Sequence, residues 1–180
     1  FSMKKVILIR TPIIQPYYHV TGLRAIPSVG LAFVNGALIK AGYDSFILDA
    51  PAESITTFRP LDETIYIING LLVEEIVNRI PLDIDAIGIS CMHTNEWIYD
   101  STIIKAIKKK FPKIFLFIGG EHATGCSHLI METTPEVDAI VQGEGEITAV
   151  ELLNHYFSNQ SFKSISGITY RESNSIFQNA

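Results

Sequence analysis

The chain is poor in cysteine: Cys91 and Cys126 are its only two, far apart and in no CxxC or CxxxCxxC grouping. Thiolate-bound zinc and iron–sulfur clusters need several such ligands close together, so neither can be assembled from these residues. The same scarcity suits a reduced, cytoplasmic chain with no disulfide framework. Positive charge is also sparse. Lys and Arg number 14 against 19 Asp and Glu, for a net charge of −5, and without a basic stripe nucleic acid is not an expected partner. No apolar run reaches the roughly 18–20 residues that span a bilayer, and the start of the chain lacks the basic and apolar blocks of a signal peptide. A membrane is not expected either. Phosphate loops are missing too: there is no GxxxxGK(S/T), and no GxGxxG follows the first apolar run. Nucleoside triphosphate hydrolysis therefore drops out.

What is present is a globular composition, 47% hydrophobic and 18% charged, in which apolar runs alternate with amphipathic segments. KKVILIRTP (4–12) reads as a strand buried on both faces. VGLAFVNGALIKA (29–41) places Leu31, Val34, Leu38 and Ala41 at helical spacing, with Ser28 as candidate N-cap and Gly42 just past the end. Further strands are expected at 45–51, 85–92, 114–120 and 137–145, with helices over 67–79, 95–112, 125–134 and 146–157. Segment 53–80 is otherwise the least legible. This alternation predicts an α/β fold: a doubly wound, mostly parallel five-stranded sheet of Rossmann or flavodoxin-like kind. Residues 164–180 break the pattern and read as a short C-terminal hairpin or linker turning at Glu172-Ser173-Asn174. The expected division is a domain over 4–160 and a hairpin or linker over 161–180.

In an open parallel sheet, ligands bind beyond the carboxyl ends of the strands. That rule selects Thr11 and Pro12 after the first strand, and Ser90, Cys91 and Met92 after the third. It also selects Gly119, Gly120, Glu121 and His122 after the fourth, and Gly143, Glu144 and Gly145 after the fifth. The loop from Pro12 to Pro27, which holds Tyr17, Tyr18 and His19, is long enough to serve as a rim. Glycines at strand ends let a bulky planar ligand approach the backbone, although a turn into a helix requires glycine for its own reasons. No spacing among Glu121, His122, Glu144, Glu146 and His93 specifies a metal-ligand set or a nucleophile with its base. No catalytic or metal-ligating residue is assigned.

Taken in order, IPSVGLAFVNGALIKAGYDSFILDA, IDAIGISCM, FIGGEHAT and VDAIVQGEGEIT resemble the amino-terminal cobalamin-binding domain of the cobalamin-dependent radical SAM enzymes. The resemblance runs from Lys4 to about Arg171 and implies cobalamin as cofactor. Ser90 and the Gly119-Gly120 pair would lie beside the corrin or its nucleotide tail, with Gly143, Glu144 and Gly145 along the rim. It further implies a radical SAM barrel as partner, where a [4Fe-4S] cluster and S-adenosylmethionine would reside; the commonest chemistry of such enzymes is methyl transfer. RTPIIQP stands where other cobalamin domains carry DxHxxG, so the resemblance implies cobalt without a histidine ligand and a domain not catalytically competent alone. The alternatives are a structural or docking domain that no longer binds cobalamin, and a flavin-type mononucleotide binder.

Overall fold

The computed structural model describes residues 3–18, 26–173 and 175–179. His19, the imidazole of the first loop, and Asn174, within the expected C-terminal turn, lie outside the described residues. The first strand lies one place in from an edge of the main sheet. Strand β1 (Lys5–Arg10) lies between β3 (Asp44–Asp49) and β6 (Ala86–Ser90), parallel to both. Next come β7 (Phe115–Gly119) and β8 (Ala139–Val141), also parallel, which completes the five parallel strands expected.

The sheet does not stop there. β9 (Ile168–Glu172) pairs antiparallel with β8, and β10 (Ser175–Asn179) with β9, so the main sheet has seven strands rather than five. The C-terminal hairpin forms its edge and buries Ile168 and Tyr170. Burial of those side chains gives the hairpin a stabilisation that two isolated strands lack.

The parallel strands inside the sheet are covered on both faces. Val6 and Leu8 of β1 join one core with Leu31 and Leu38 of α1 (Val29–Lys40) and Leu152 and Leu153 of α7 (Gly145–Phe157). Ile7 and Ile9 join the opposite core. There they meet Ile76 of α3 (Val73–Arg79), Ile103, Ile104 and Ile107 of α4 (Trp97–Lys110), and Ile130 and Met131 of α6 (Ser127–Thr133). The period-2 alternation of a strand, repeated in KVILIR, thus feeds two cores at once. Helix ends follow from local chemistry. α1 stops at Gly42, whose φ of 94° is the left-handed region glycine favours. α4 stops before Pro112, and Lys108 in its last turn reaches the Ile114 carbonyl at 2.6 Å and Asp138 at 2.7 Å.

The first loop and segment 53–80 differ from expectation. Asp49 caps α2 (Ala50–Glu53) by accepting from the Ala52 amide at 3.1 Å. β2 (Ile13–Pro16), β4 (Phe58–Pro60) and β5 (Tyr66–Asn69) then form a separate antiparallel sheet in the order β2-β5-β4. Residues 67–69, expected to begin a helix, are β-strand because one edge pairs with β2, distant in sequence, and the other with the neighbouring β4 in a hairpin. Helix follows only from Val73, where the Leu72 amide is taken by the Glu75 carboxylate at 2.7 Å. The helix expected over 125–134 is α6, and a short α5 (Glu121–Gly125) precedes it.

Candidate ligand-binding site

The order of strands reverses at β1, whose neighbours β3 and β6 are reached by crossovers to opposite sides, and the cavities open beside it, as the geometry of such sheets requires. The first, about 340 Å³, lies on the α1/α7 face. Its floor is apolar, from Leu8, Phe117 and Val141, and its walls are the starts of α1 and α7. The second, about 490 Å³, lies over the ends of β1 and β6 and is lined by Arg10, Thr11, Gln15, His93, Asn95 and Glu96. Ser28, Ser90 and Met92 line both, so the two are adjoining.

Glycine shapes the first cavity. A Cβ on Gly88 would stand 2.6 Å from Phe117 Cζ and 2.7 Å from Leu8 Cδ2, so glycine here lets the floor close over the strand. Gly120 adopts φ of 107°, and a Cβ there would stand 2.6 Å from the Cys91 carbonyl oxygen; the turn from β7 into α5 tolerates no side chain. Gly30 and Gly143 are different. Both line the cavity and a Cβ on either would meet no atom within 4 Å, so their missing side chains leave room that no described residue fills. The loop after β8 is tied to α5, because the Gly143 amide donates to Thr124 Oγ1 at 3.1 Å.

Of the residues selected from the sequence, Ser90, Met92, Gly119, Gly120, Glu121, Gly143, Glu144 and Gly145 line the first cavity, and Thr11, Ser90 and Met92 the second. Three others lie elsewhere. Cys91 is fully buried in the α3/α4 core, where burial pushes its thiol pKa up. His122 turns to the same side: its ring lies 5.1 Å from that of Trp97, and Nδ1 is 3.1 Å from Thr94 Oγ1. Burial holds its pKa below the ordinary histidine value. Pro12 is buried against Gly70 and lines neither cavity. Strand parity explains Cys91, which continues the Ile87–Ile89 face, whereas Ser90 and Met92 continue the Gly88 face.

Sequence reasoning missed the α1 side of the site. Ser28, Gly30, Leu31 and Val34 line the first cavity, and Ser28 makes no side-chain cap bond although it holds the N-cap position. It also missed Arg10, Gln15, Asn95 and Glu96 of the second. Gly88 carried a readable signal, a glycine inside an otherwise apolar strand. Arg10 is held by the Ile26 carbonyl at 2.7 Å and by Asp49 at 3.3 Å. Glu96 accepts from the Ile14 amide at 3.2 Å, and burial raises its carboxyl pKa. Behind it, fully buried Asp100 is pushed up to about 7, chiefly by burial. Among the described residues no group of three His, Cys, Asp or Glu could hold a metal ion, and no helix is long and apolar enough to cross a membrane.

Residues 21–153 match the family model of the B12 binding domain. The chain belongs to that family. As a B12-binding domain it is 28% identical over 97% of its length to an uncharacterised methyltransferase of Pyrococcus horikoshii, covering 34% of that protein. It is 30% identical over 80% of its length to the cytidylyl-2-hydroxyethylphosphonate methyltransferase of Streptomyces wedmorensis, covering 27%. Among solved structures, the radical S-adenosylmethionine methyltransferase TsrM of Kitasatospora setae, with cobalamin and a [4Fe-4S] cluster bound, superposes on 98% of the chain. The TM-score is 0.68 at 14% identity, over 29% of TsrM. The cobalamin-dependent radical enzyme OxsB, with aqua-cobalamin and S-adenosylmethionine bound, also gives 0.68, at 17% identity over 22% of its length. These structures support the fold. The B12-binding domain thus spans about a third or less of each of these relatives.

Proposed function

We propose that the chain holds cobalamin as the corrin-binding part of a cobalamin-dependent radical SAM enzyme of methyltransferase type, acting with a radical SAM domain and not alone. The observation that carries this reading is the pair of adjoining cavities, one cleared by glycine and one lined by polar side chains, of which Gln15 Nε2 lacks a partner. The first suits the nucleotide tail: Gly30, Gly119, Gly143 and Gly145 bare the backbone around a slot whose floor is apolar. The second suits the amide-fringed corrin, which needs donors and acceptors around its edge. Gln15 Nε2 is a buried donor without a partner, and Ser28, Thr11 and Asn95 stand beside it. When bound, cobalamin would supply the methyl-carrying cobalt, while a [4Fe-4S] cluster and S-adenosylmethionine would belong to the partner domain. These residues would bind and orient the cofactor and keep water from one of its faces.

Charge favours this reading over a flavin mononucleotide. The first cavity is lined by Glu121, Glu144 and Glu146 and by no Lys or Arg among the described residues. Such a rim disfavours a doubly charged phosphate more than the singly charged phosphodiester of cobalamin. His93 lines the second cavity, but we assign it no bond to cobalt, in keeping with the absence of DxHxxG. In this division, residues 4–160 form the cofactor-binding part and 161–180 lead toward the radical SAM domain while forming the sheet edge.

The test is titration with hydroxocobalamin, then desalting and an absorbance spectrum of the protein fraction. Retained corrin without the spectral shift of histidine ligation is the expected result. Corrin lost on desalting, both here and from a longer chain that includes the radical SAM domain, would favour the structural or docking alternative.

A further inference from the structure

The small sheet β2-β5-β4 leaves β2 on an outer edge, where backbone groups ordinarily stand unpaired. At Ile14 both are taken by two consecutive residues from a distant part of the chain. The Ile14 amide donates to Glu96 Oε1 at 3.2 Å, and the Ile14 carbonyl accepts from Asn95 Nδ2 at 3.1 Å. Two side chains thus stand in for a fourth strand. They matter because β2 has little else to hold it: it is four residues long and ends at Pro16, which has no amide to give to a ladder. Ile14 and Glu96 are buried, at 4% and 7% exposure, so an amide robbed of this acceptor would find little water to replace it.

The bonds join opposite sides of the second cavity. Ile14 and Gln15 line it from β2, and Met92, His93 and Glu96 line it from the loop after β6. That loop is itself closed by the Glu96 amide on the His93 carbonyl at 3.1 Å. Gln15 follows Ile14 directly and turns its side chain to the other face of the strand, where Nε2 is buried without a partner. The aim of that donor therefore depends on how Ile14 is held.

We propose that Asn95 and Glu96 are positioning residues: they clamp β2 to the loop after β6 and so hold the Gln15 carboxamide where it meets the corrin edge. This rests on the cobalamin reading above. Neither residue needs to touch the cofactor for this. With the clamp released, the short strand shifts along its free edge, and the donor of Gln15 loses its fixed direction before any ligand arrives.

The experiment measures dissociation constants for hydroxocobalamin with the wild type, Glu96→Leu, Glu96→Gln, Gln15→Met and the double variant of Glu96→Leu with Gln15→Met. Glu96→Leu removes the acceptor and is expected to weaken binding about fivefold, whereas Glu96→Gln keeps a carbonyl oxygen for the Ile14 amide and should stay within about twofold of the wild type. In the Gln15→Met background Glu96→Leu should weaken binding no further, because its effect passes through Gln15. Losses that multiply in the double variant, or Glu96→Gln as impaired as Glu96→Leu, overturn the proposal. If Glu96→Leu does not fold, Asn95→Ala, at an exposed position, takes its place in the cycle with the same outcomes expected. Two measurements need no cofactor. In the clamp variant, hydrogen exchange of the Ile14 amide should speed about tenfold or more, and the side-chain amide resonances of Gln15 should shift with it. Exchange or resonances that stay as in the wild type also overturn the proposal. If hydroxocobalamin does not bind the wild type, the cofactor reading fails, and these two measurements still decide whether the clamp sets Gln15.

Discussion

The two cavities are made in opposite ways. The first exists because side chains are missing at Gly30, Gly119, Gly143 and Gly145, and its remaining floor is apolar. The second is bounded by side chains that are present and polar, among them Arg10, Gln15, Asn95 and Glu96. A cavity made by omission offers shape and a bare backbone, and selects by fit. One made of side chains offers donors and acceptors, and leaves some of them, such as Gln15 Nε2, in need of a ligand. Filling the first should therefore block binding without harming the fold, whereas replacing the unpartnered Gln15 in the second should help the fold and harm binding.

The largest expected effect attacks the glycines that the fold itself requires. Gly120→Val adds a branched side chain at positive φ and drives Cβ into the Cys91 carbonyl, which should cost several kcal/mol, about 1–3 from backbone strain alone. Thermal denaturation should show a large drop in Tm or no folded protein; an unchanged Tm would mean that the β7–α5 turn is not as tight as described. Next is the buried acid. The folded pKa of Asp100 lies near 7 against an ordinary 3.8, so the native state binds the proton more tightly, and stability falls as pH rises from about 4 to about 7 before levelling off. At about 1.4 kcal/mol per pKa unit this loss is a few kcal/mol at most. Denaturant melts of Asp100→Asn should be more stable than wild type above neutrality, with no such decline.

A smaller effect distinguishes the two kinds of glycine. Gly30→Leu meets open space, so its Tm should match or slightly exceed the wild type, as replacing glycine in a helix favours stability by up to about 1 kcal/mol. Filling the slot should nonetheless lower corrin affinity about tenfold or more, measured by spectral titration; each tenfold loss is about 1.4 kcal/mol. The smallest concerns the second cavity. Gln15→Met removes a buried donor that lacks a partner, and should raise stability by about 1 kcal/mol while weakening hydroxocobalamin binding severalfold. If binding is unaffected, the corrin edge does not lie against Gln15.

Much of this was legible in the chain. The five parallel strands announce themselves as apolar runs, four of them closed by glycine or proline, and the ends of three of them supplied eight of the residues that line the first cavity. Even the misplacement of Cys91 had a readable remedy, since Ile87, Ile89 and Cys91 share one face and Gly88, Ser90 and Met92 the other. His122 had no such signal, because it lies past the strand, in a short helix whose orientation depends on where Trp97 packs. The three-stranded sheet was hidden for a different reason. IIQP, FRP and YIIN are too short to show a period, and the sheet is completed only where IIQP, far away in sequence, pairs with the hairpin of FRP and YIIN.

The sequence by itself determined which segments become parallel strands and helices, where glycine frees the strand ends, and, through the ordered motifs, the family. Those properties rest on local periodicity and backbone freedom, which neighbours along the chain carry. Only the tertiary structure decided that α1 forms the wall of the first cavity, that β2 and α4 supply Gln15 and Glu96 to the second, and that Asp100 lies fully buried. Those relations join residues as much as 82 positions apart, as between Ile14 and Glu96. They arise from packing one layer on another, which no short stretch of sequence contains.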